Sequence, residues 1–514
     1  MEKIFCTLTL LILFFSIASA QLEVTYSKEL EQRAEAGDVQ AMEQLGYCYH
    51  KGAGVTKDFN KAQNWYMKAA EKGNVVAMRR IGSMHFWGEG FKKDEIKAIE
   101  WWTRASDAGD TGSMFNIGTS YYNGEGVVQD YSKALFWYKK AAEKDDCAAC
   151  NSIGVMYNDG IGVPKSYSEA IKWYQKAIDN GGKDCEYAMH NLANIYLNGN
   201  GINKNYIKAI ELYKQAAERG SSESMHQLGA IYYNGDCGVT KNIGTAIEWF
   251  GKASTKEADD TDDNKVDDNI EIIQYICQNL NKDGKYNSIL SSMTNLFNTY
   301  KRHVEKEDFG NNECTKYYWG LAVCYIYGIG TPINLSKASD LLDDCNVGSP
   351  YYSCNAARIY EDGVLGYVDY KKALDFYEYG ISATDIYSPA KAATFYLEGK
   401  GVKKDIKKAI DLINFAINRA EEFGTTAPYA KYLLGKLYLN GIGVKKNETK
   451  AFSLFKESAE DQEEPDCDAM QMLNSCYRFG LGTKKNLKKA NYWFEKAQKA
   501  GSRDAQRIQD LLRE

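Results

Sequence analysis

Apolar and small residues return along this chain at helical spacing, in paired runs separated by glycines. In residues 45 to 70, Leu45, Gly46 and Tyr49 share one helical face, because positions three and four apart lie above one another. Gly52 and Gly54 then interrupt, and Ala62, Trp65, Tyr66 and Ala69 resume the spacing. This pattern predicts a hairpin of two helices. It recurs: Gly46 returns as Gly82, Gly118 and Gly154 at intervals of 36, and Ala193 and Gly229 continue the series. A second series follows at Ala322, Ala357, Ala393, Gly435 and Asn474, making eleven repeats. Six residues after this anchor every repeat has glycine, from Gly52 to Gly480. Three residues after it stands tyrosine in every repeat but one, which has His85. Sixteen residues after it comes alanine, usually preceded by lysine, as in Ala62, Ala98, Ala134 and Ala490; the sixth repeat reaches Ala246 one residue late.

Each position has a physical reason. A small anchor lets the partner helix come close, and that packing offsets the roughly 1 kcal/mol of helix propensity that glycine loses. The glycine six residues on supplies the left-handed conformation that ends a helix. The next glycine and valine turn the chain. Asp58, Asp94 and Asp130 stand where a second helix starts and can cap its free amides. That helix carries Ala62 at the close contact and the pair Trp65-Tyr66, repeated as Trp101-Trp102, Trp137-Tyr138, Trp173-Tyr174, Trp249-Phe250 and Trp493-Phe494. A buried aromatic removes about 150–250 Å² from water, more than one hairpin can cover alone, so neighbours must stack. The glycines are therefore elbows. A phosphate loop needs a preceding buried strand and a Lys-Ser/Thr after its glycines, and neither is present.

The registered residues Ala41-x-x-x-Leu45-Gly46-x-x-Tyr49-x-x-Gly52-x-Gly54-Val55 and Lys61-Ala62-x-x-Trp65-Tyr66-x-Lys68-Ala69-Ala70 resemble the Sel-one-like repeat (SLR) family, relatives of the tetratricopeptide repeats. The resemblance implies an all-α fold, a right-handed α/α superhelical solenoid of hairpins that binds other proteins. Two arrays are expected, six repeats over residues 37–253 and five over 313–500. Between them, 254–312 reads as an acidic linker followed by a degenerate hairpin, with Ile270, Ile272, Ile273, Ile276 and Leu280 on one helix and Ile289, Leu290, Met293, Leu296, Phe297 and Tyr300 on another. Residues 21–36 and 501–514 read as cap helices, the polar ends that a solenoid needs.

Composition adds a compartment. Lys3 precedes an apolar run from Ile4 to Ile17, followed by Ala18-Ser19-Ala20. This is the order of a secretory signal, and the run is too short to span a bilayer, so residues 1–20 are expected to be cleaved. No later stretch is apolar enough for a membrane span. The net charge of −6 gives no electrostatic reason to expect nucleic acid. Twelve cysteines follow Cys6, an even number that permits disulfides in an oxidising compartment. Asn334-Leu335-Ser336 and Asn447-Glu448-Thr449 are glycosylation acceptors, each twelve residues after an anchor, in the exposed elbow before a second helix.

No arrangement for catalysis, cofactor or metal stands out. The five histidines form no zinc motif, and His85, replacing a repeat tyrosine, is read as core. Asp260, Asp262, Asn264 and Glu271 have calcium-loop spacing, but Lys265 stands where the loop needs glycine, and an acidic linker explains them equally. Cys147-Ala-Ala-Cys150 lacks the strand–helix context of a redox motif and is read as structural cysteines or a disulfide. Cys48, Cys324 and Cys476 share one inward position and are read as buried thiols. Cysteine-rich secreted SLR proteins bridge the turn between repeats, and that resemblance implies a Cys345–Cys354 disulfide. Ser388-x-x-Lys391 and Ser453-x-x-Lys456 match one penicillin-binding motif without its companions and are read as chance.

Three functions follow. The resemblance to the lumenal repeat subunit of a membrane ubiquitin ligase implies an adaptor in the endoplasmic reticulum, with the ligase complex and misfolded glycoproteins as partners. The absence of a retrieval tetrapeptide favours instead a secreted or vesicular protein binding external or host proteins. A hydrolase is the third reading, with no supporting constellation. If both asparagines carry glycans, the partner should meet the face formed by the first helices.

Overall fold

The computed structural model describes residues 24–181, 185–258, 268–281, 283–305, 315–344, 350–382, 385–461 and 465–500. Regular secondary structure among them is helical throughout, and the chain divides into two compact units, Met1–Arg219 and Gly220–Glu514. The signal at 1–20, the cap at 501–514, Cys345, Asp260, Asp262 and Asn264 lie outside the described residues.

The first unit opens with Lys28–Glu35, inside the expected N-terminal cap, and continues in five hairpins. Their first and second helices are Val39–Lys51 with Phe59–Glu71, Val75–Trp87 with Glu95–Asp107, Thr111–Asn123 with Tyr131–Ala142, Cys147–Asp159 with Tyr167–Asn180, and Glu186–Asn198 with Tyr206–Glu218. The second unit begins with Ser222–Asn234 and Ile243–Ala258. Three helices follow, Asp268–Leu280, Asn287–Ser291 and Thr294–Glu305. Five further hairpins pair Thr315–Tyr327 with Leu335–Asp344, Pro350–Glu361 with Tyr370–Ser382, Tyr387–Glu398 with Ile406–Glu422, Pro428–Asn440 with Glu448–Ala459, and Cys467–Phe479 with Leu487–Ala500.

What the small anchor makes room for is a ring. A Cβ on Gly46 would stand 2.6 Å from the Tyr66 ring, and one on Gly154 2.5 Å from Tyr174. Gly82 meets Trp102, Gly118 meets Tyr138, Gly229 meets Phe250 and Gly435 meets Phe455 in the same way. These rings are buried, whereas Trp65, Trp101, Trp137, Trp173 and Trp249, the first members of their pairs, are only half-buried. That corrects the expectation that both rings fill the seam. Neighbours on a helix point about 100° apart, so only one can face the anchor. The other carries a cation from the next turn: Lys68 lies 4.3 Å over Trp65, Arg104 4.8 Å over Trp101 and Lys176 5.3 Å over Trp173. In the last hairpin Asn474 occupies the anchor with a side chain, and the order reverses: Trp493 is 5% exposed and Phe494 46%.

The elbow is closed by backbone. Gly52 ends its helix at φ +74°, and the Asp58 N–H donates to the Tyr49 carbonyl at 2.9 Å. The equivalent bond closes all eleven elbows. The same residue caps the second helix, Asp58 accepting from the Lys61 amide at 3.0 Å, and Asp94 and Asp130 do likewise, as expected. The lysine before the conserved alanine lies over the repeat tyrosine, Lys61 over Tyr49 at 5.1 Å and Lys208 over Tyr196 at 4.5 Å. The Lys-Ala signature therefore combines a cation on a ring with a methyl group in the core.

Two details depart from the sequence pattern between the arrays. The second helix of the sixth repeat continues through Ser254 to Ala258, where a linker was expected. Ser254 is buried and bonds the Tyr300 hydroxyl at 2.9 Å. The helix expected over 289–300 is broken at Ser292 and Met293, and the Leu290 carbonyl there accepts from the amide of Gly330 at 2.8 Å. Ile270, Ile272, Ile273 and Ile276 are buried as expected, and Leu280 is exposed.

Candidate functional site

The two faces of a first helix differ. In the first unit, the face toward the second helices is apolar and closed by residues such as Leu45, Ile81 and Ile153. The opposite strip is half-open and mixed in chemistry. It runs through Tyr47, Ser83, Phe115, Thr119, Tyr122 and Asn158, all half-buried. Aromatic faces beside hydroxyls and amides, neither packed away nor fully solvated, are what a protein-binding surface requires.

Fixed contacts hold this strip. Glu43, three residues before its anchor, accepts from Nε of Arg80 on the next first helix at 2.7 Å, and Arg80 also lies 4.8 Å over Tyr47. Asn191 donates to Asn151 at 3.0 Å across another pair of first helices. Arg79 reaches Asp110 at 3.1 Å. From below, the seated rings extend their hydroxyls to the strip: Tyr138 meets Thr119 at 3.2 Å and Tyr213 donates to Asn194 at 2.5 Å. The same ring that fills the seam thus orients a surface group.

His50 lies on this face, 2.8 Å from Glu89 through Nε2 and 3.5 Å from the Tyr66 hydroxyl through Nδ1. Burial lowers its pKa, and Glu89 opposes that shift. His85 is buried and stacked on Phe91 at 3.9 Å, the core placement expected, and burial lowers its pKa too.

In the second unit, Asn334 and Asn447 are N-caps, their Oδ1 atoms accepting from Lys337 at 3.0 Å and Lys450 at 2.9 Å. Asn447 is exposed and Asn334 half-buried. A glycan is carried on Nδ2, so the cap leaves the acceptor nitrogen outside the helix-capping bond. Cys354 lies on Pro350–Glu361, and burial pushes its thiol up to about 12. Its expected partner, Cys345, lies outside the described residues. Cys48, Cys324 and Cys476 are buried, as read from the sequence.

The Ser-x-x-Lys matches form no joint arrangement. Ser388 is buried, and Lys391 pairs with Glu361 at 3.6 Å. Ser453 donates to Glu457 at 3.2 Å while Lys456 pairs with Glu460 at 3.7 Å. Among the described residues, no three His, Cys, Asp or Glu side chains gather into a metal site. None of the described helices is long and apolar enough to cross a membrane.

The strip residues were not singled out from sequence, because they vary from repeat to repeat. The signal available was position: one, four and minus three from each anchor.

The repeated seat, elbow and cap define a helical-repeat scaffold, and comparison with known proteins gives its class. The Sel1 repeat family model matches residues 39–74, 75–110, 111–146, 147–182, 186–221, 222–257, 316–341, 351–385, 390–419, 428–462 and 468–502. The chain belongs to the Sel1 repeat family. It is similar to a protective antigen present in uropathogenic Escherichia coli strains that displays an SLR fold, at 22% identity, over 94% of this chain and 93% of that one, with a TM-score of 0.47. It is also similar to a Sel1 repeat protein from Oxalobacter formigenes, at 33% identity over 44% of this chain and 98% of that one, with a TM-score of 0.41. No curated protein matches the chain.

Proposed function

We propose that this chain is a non-catalytic protein-binding scaffold of the secretory pathway, and that its partner seats on the open strip of first helices in the first unit. One observation carries the reading. Tyr47, Ser83, Phe115, Thr119, Tyr122 and Asn158 stand half-open on four consecutive first helices, while the opposite face of those helices is closed core. The family membership supports a scaffold. The apolar run Ile4–Ile17 with Ala18-Ser19-Ala20 and the acceptors Asn334 and Asn447 support entry to the secretory pathway. Within it, the proposed role is a lumenal adaptor that presents glycoproteins to a membrane ubiquitin ligase.

Affinity capture from native lysate, with the wild type beside a Thr119→Arg, Asn158→Arg variant, tests the surface. The variant should keep its melting temperature and lose the captured protein; equal capture by both would contradict the reading. Cell fractionation with glycosidase digestion tests the place. High-mannose glycans and a co-purifying membrane ligase support the adaptor, and recovery from the medium would replace it with a secreted binding protein.

A further inference from the structure

Two cysteines that no sequence motif joins lie side by side in the first unit. Cys147 begins the helix Cys147–Asp159, and Cys185 stands just before the next first helix, Glu186–Asn198. Their sulfurs are 2.8 Å apart, and both residues are buried. The S–S bond length is about 2.05 Å, so a shift of less than about 1 Å joins them. Both sulfurs also point to one carbonyl, that of Ala177, at 3.2 and 3.0 Å, so both side chains are already turned inward to the same point.

The capping pattern adds a second, independent observation. The four preceding first helices are capped by Asp38, Asn74, Asp110 and Asp146, each accepting the amide of the third residue of its helix. At the equivalent place Cys185 makes no side-chain cap. A sulfur thus stands where the four preceding repeats place a capping oxygen, and the Cys147 sulfur lies beside it. Cys150, the other half of the Cys-x-x-Cys spacing, is one turn along the same helix as Cys147 and receives a contact from Asn180 at 3.8 Å.

We propose that Cys147 and Cys185 form a disulfide that staples the fourth repeat to the fifth. As the bond forms, the two thiols give up two protons and two electrons. A disulfide of the glutathione class accepts them, its own S–S bond breaking to leave two thiols. The bridge is independent of what the strip binds. It differs from the bridge expected within one turn, because it links consecutive first helices.

Peptide mapping tests it directly. The purified full chain is incubated with oxidised glutathione, alkylated in denaturant without reduction, digested with trypsin and read by mass spectrometry. The fragment 145–165 holds Cys147 and Cys150, and 184–204 holds Cys185 alone. The expected product is the two fragments linked, in the wild type and in Cys150→Ala, and absent in Cys147→Ser. Cys185 recovered alkylated or glutathionylated, or linked to Cys150, would overturn the proposal. These outcomes leave partner capture untouched, so failure here and failure of the scaffold reading are separable.

Discussion

The ring of Tyr174 occupies the space a side chain on residue 154 would need: a Cβ on Gly154 would stand 2.5 Å from Cε1 of Tyr174. The anchor and the ring twenty residues later are thus one element of the fold. Gly154→Val should destabilise the chain by about 1–3 kcal/mol through overpacking, read as a lower urea midpoint. In a Tyr174→Ala background the same substitution should cost less, a coupling of at least about 0.5 kcal/mol. Simple addition of the two effects would show that valine acts by another route.

Two glycines, Gly126 in an elbow and Gly73 in the turn between repeats, separate two kinds of strain. Gly126 has φ +70°, and a Cβ there would meet the backbone of Glu95 at 2.8 Å. Gly73 has φ +87° with nothing within 4 Å. Gly73→Ala should cost about 1–2 kcal/mol, the left-handed penalty alone. Gly126→Ala should cost clearly more, because the preceding hairpin must move. Equal losses in thermal unfolding would mean that this approach does not matter.

Asn447 joins two roles that substitution can part. Asp accepts the capping bond as well as Asn does, so Asn447→Asp should keep stability and lose any glycan. Asn447→Ala should lose both, at about 1 kcal/mol. Electrophoretic mobility before and after glycosidase reads the first effect, and denaturant titration of deglycosylated protein reads the second. A glycosidase shift that persists in Asn447→Asp at full size would place the glycans elsewhere.

Acid should weaken the first unit through its buried histidines. Burial holds His50 and His85 below the usual imidazole range. The folded chain then binds fewer protons than the unfolded chain once pH falls below about 6.5. This contribution is complete above that pH and is lost as pH falls toward the lower folded values. His85→Tyr restores the repeat residue and removes one such group. Its melting temperature should fall less between pH 7.5 and 5.5 than that of the wild type; an unchanged fall would show that His85 does not contribute.

Much of the scaffold is readable because it repeats. Gly46, Gly52, Asp58 and Ala62 are constrained by a seated ring, a left-handed turn, a helix end and a closed seam, and these constraints recur along the hairpins. The pairing of anchor with ring is less visible, since Gly46 and Tyr66 lie on different helices and Trp65 is equally prominent in the sequence. Trp65 turned out to carry Lys68 rather than fill the seam. Cys185 escaped because it breaks the capping series, and its neighbour in space is 38 residues away. The strip through Tyr47, Thr119 and Asn158 is the least legible part, because a surface shaped for one partner has no reason to repeat.

Hydrogen exchange read by mass spectrometry, on the chain with and without its captured partner, tests the binding face most directly. Bound partner should slow exchange in the first helices Val39–Lys51, Val75–Trp87, Thr111–Asn123 and Cys147–Asp159, and leave their second helices unchanged. Slowing confined to the second helices, or to the second unit, would contradict the assignment of the strip.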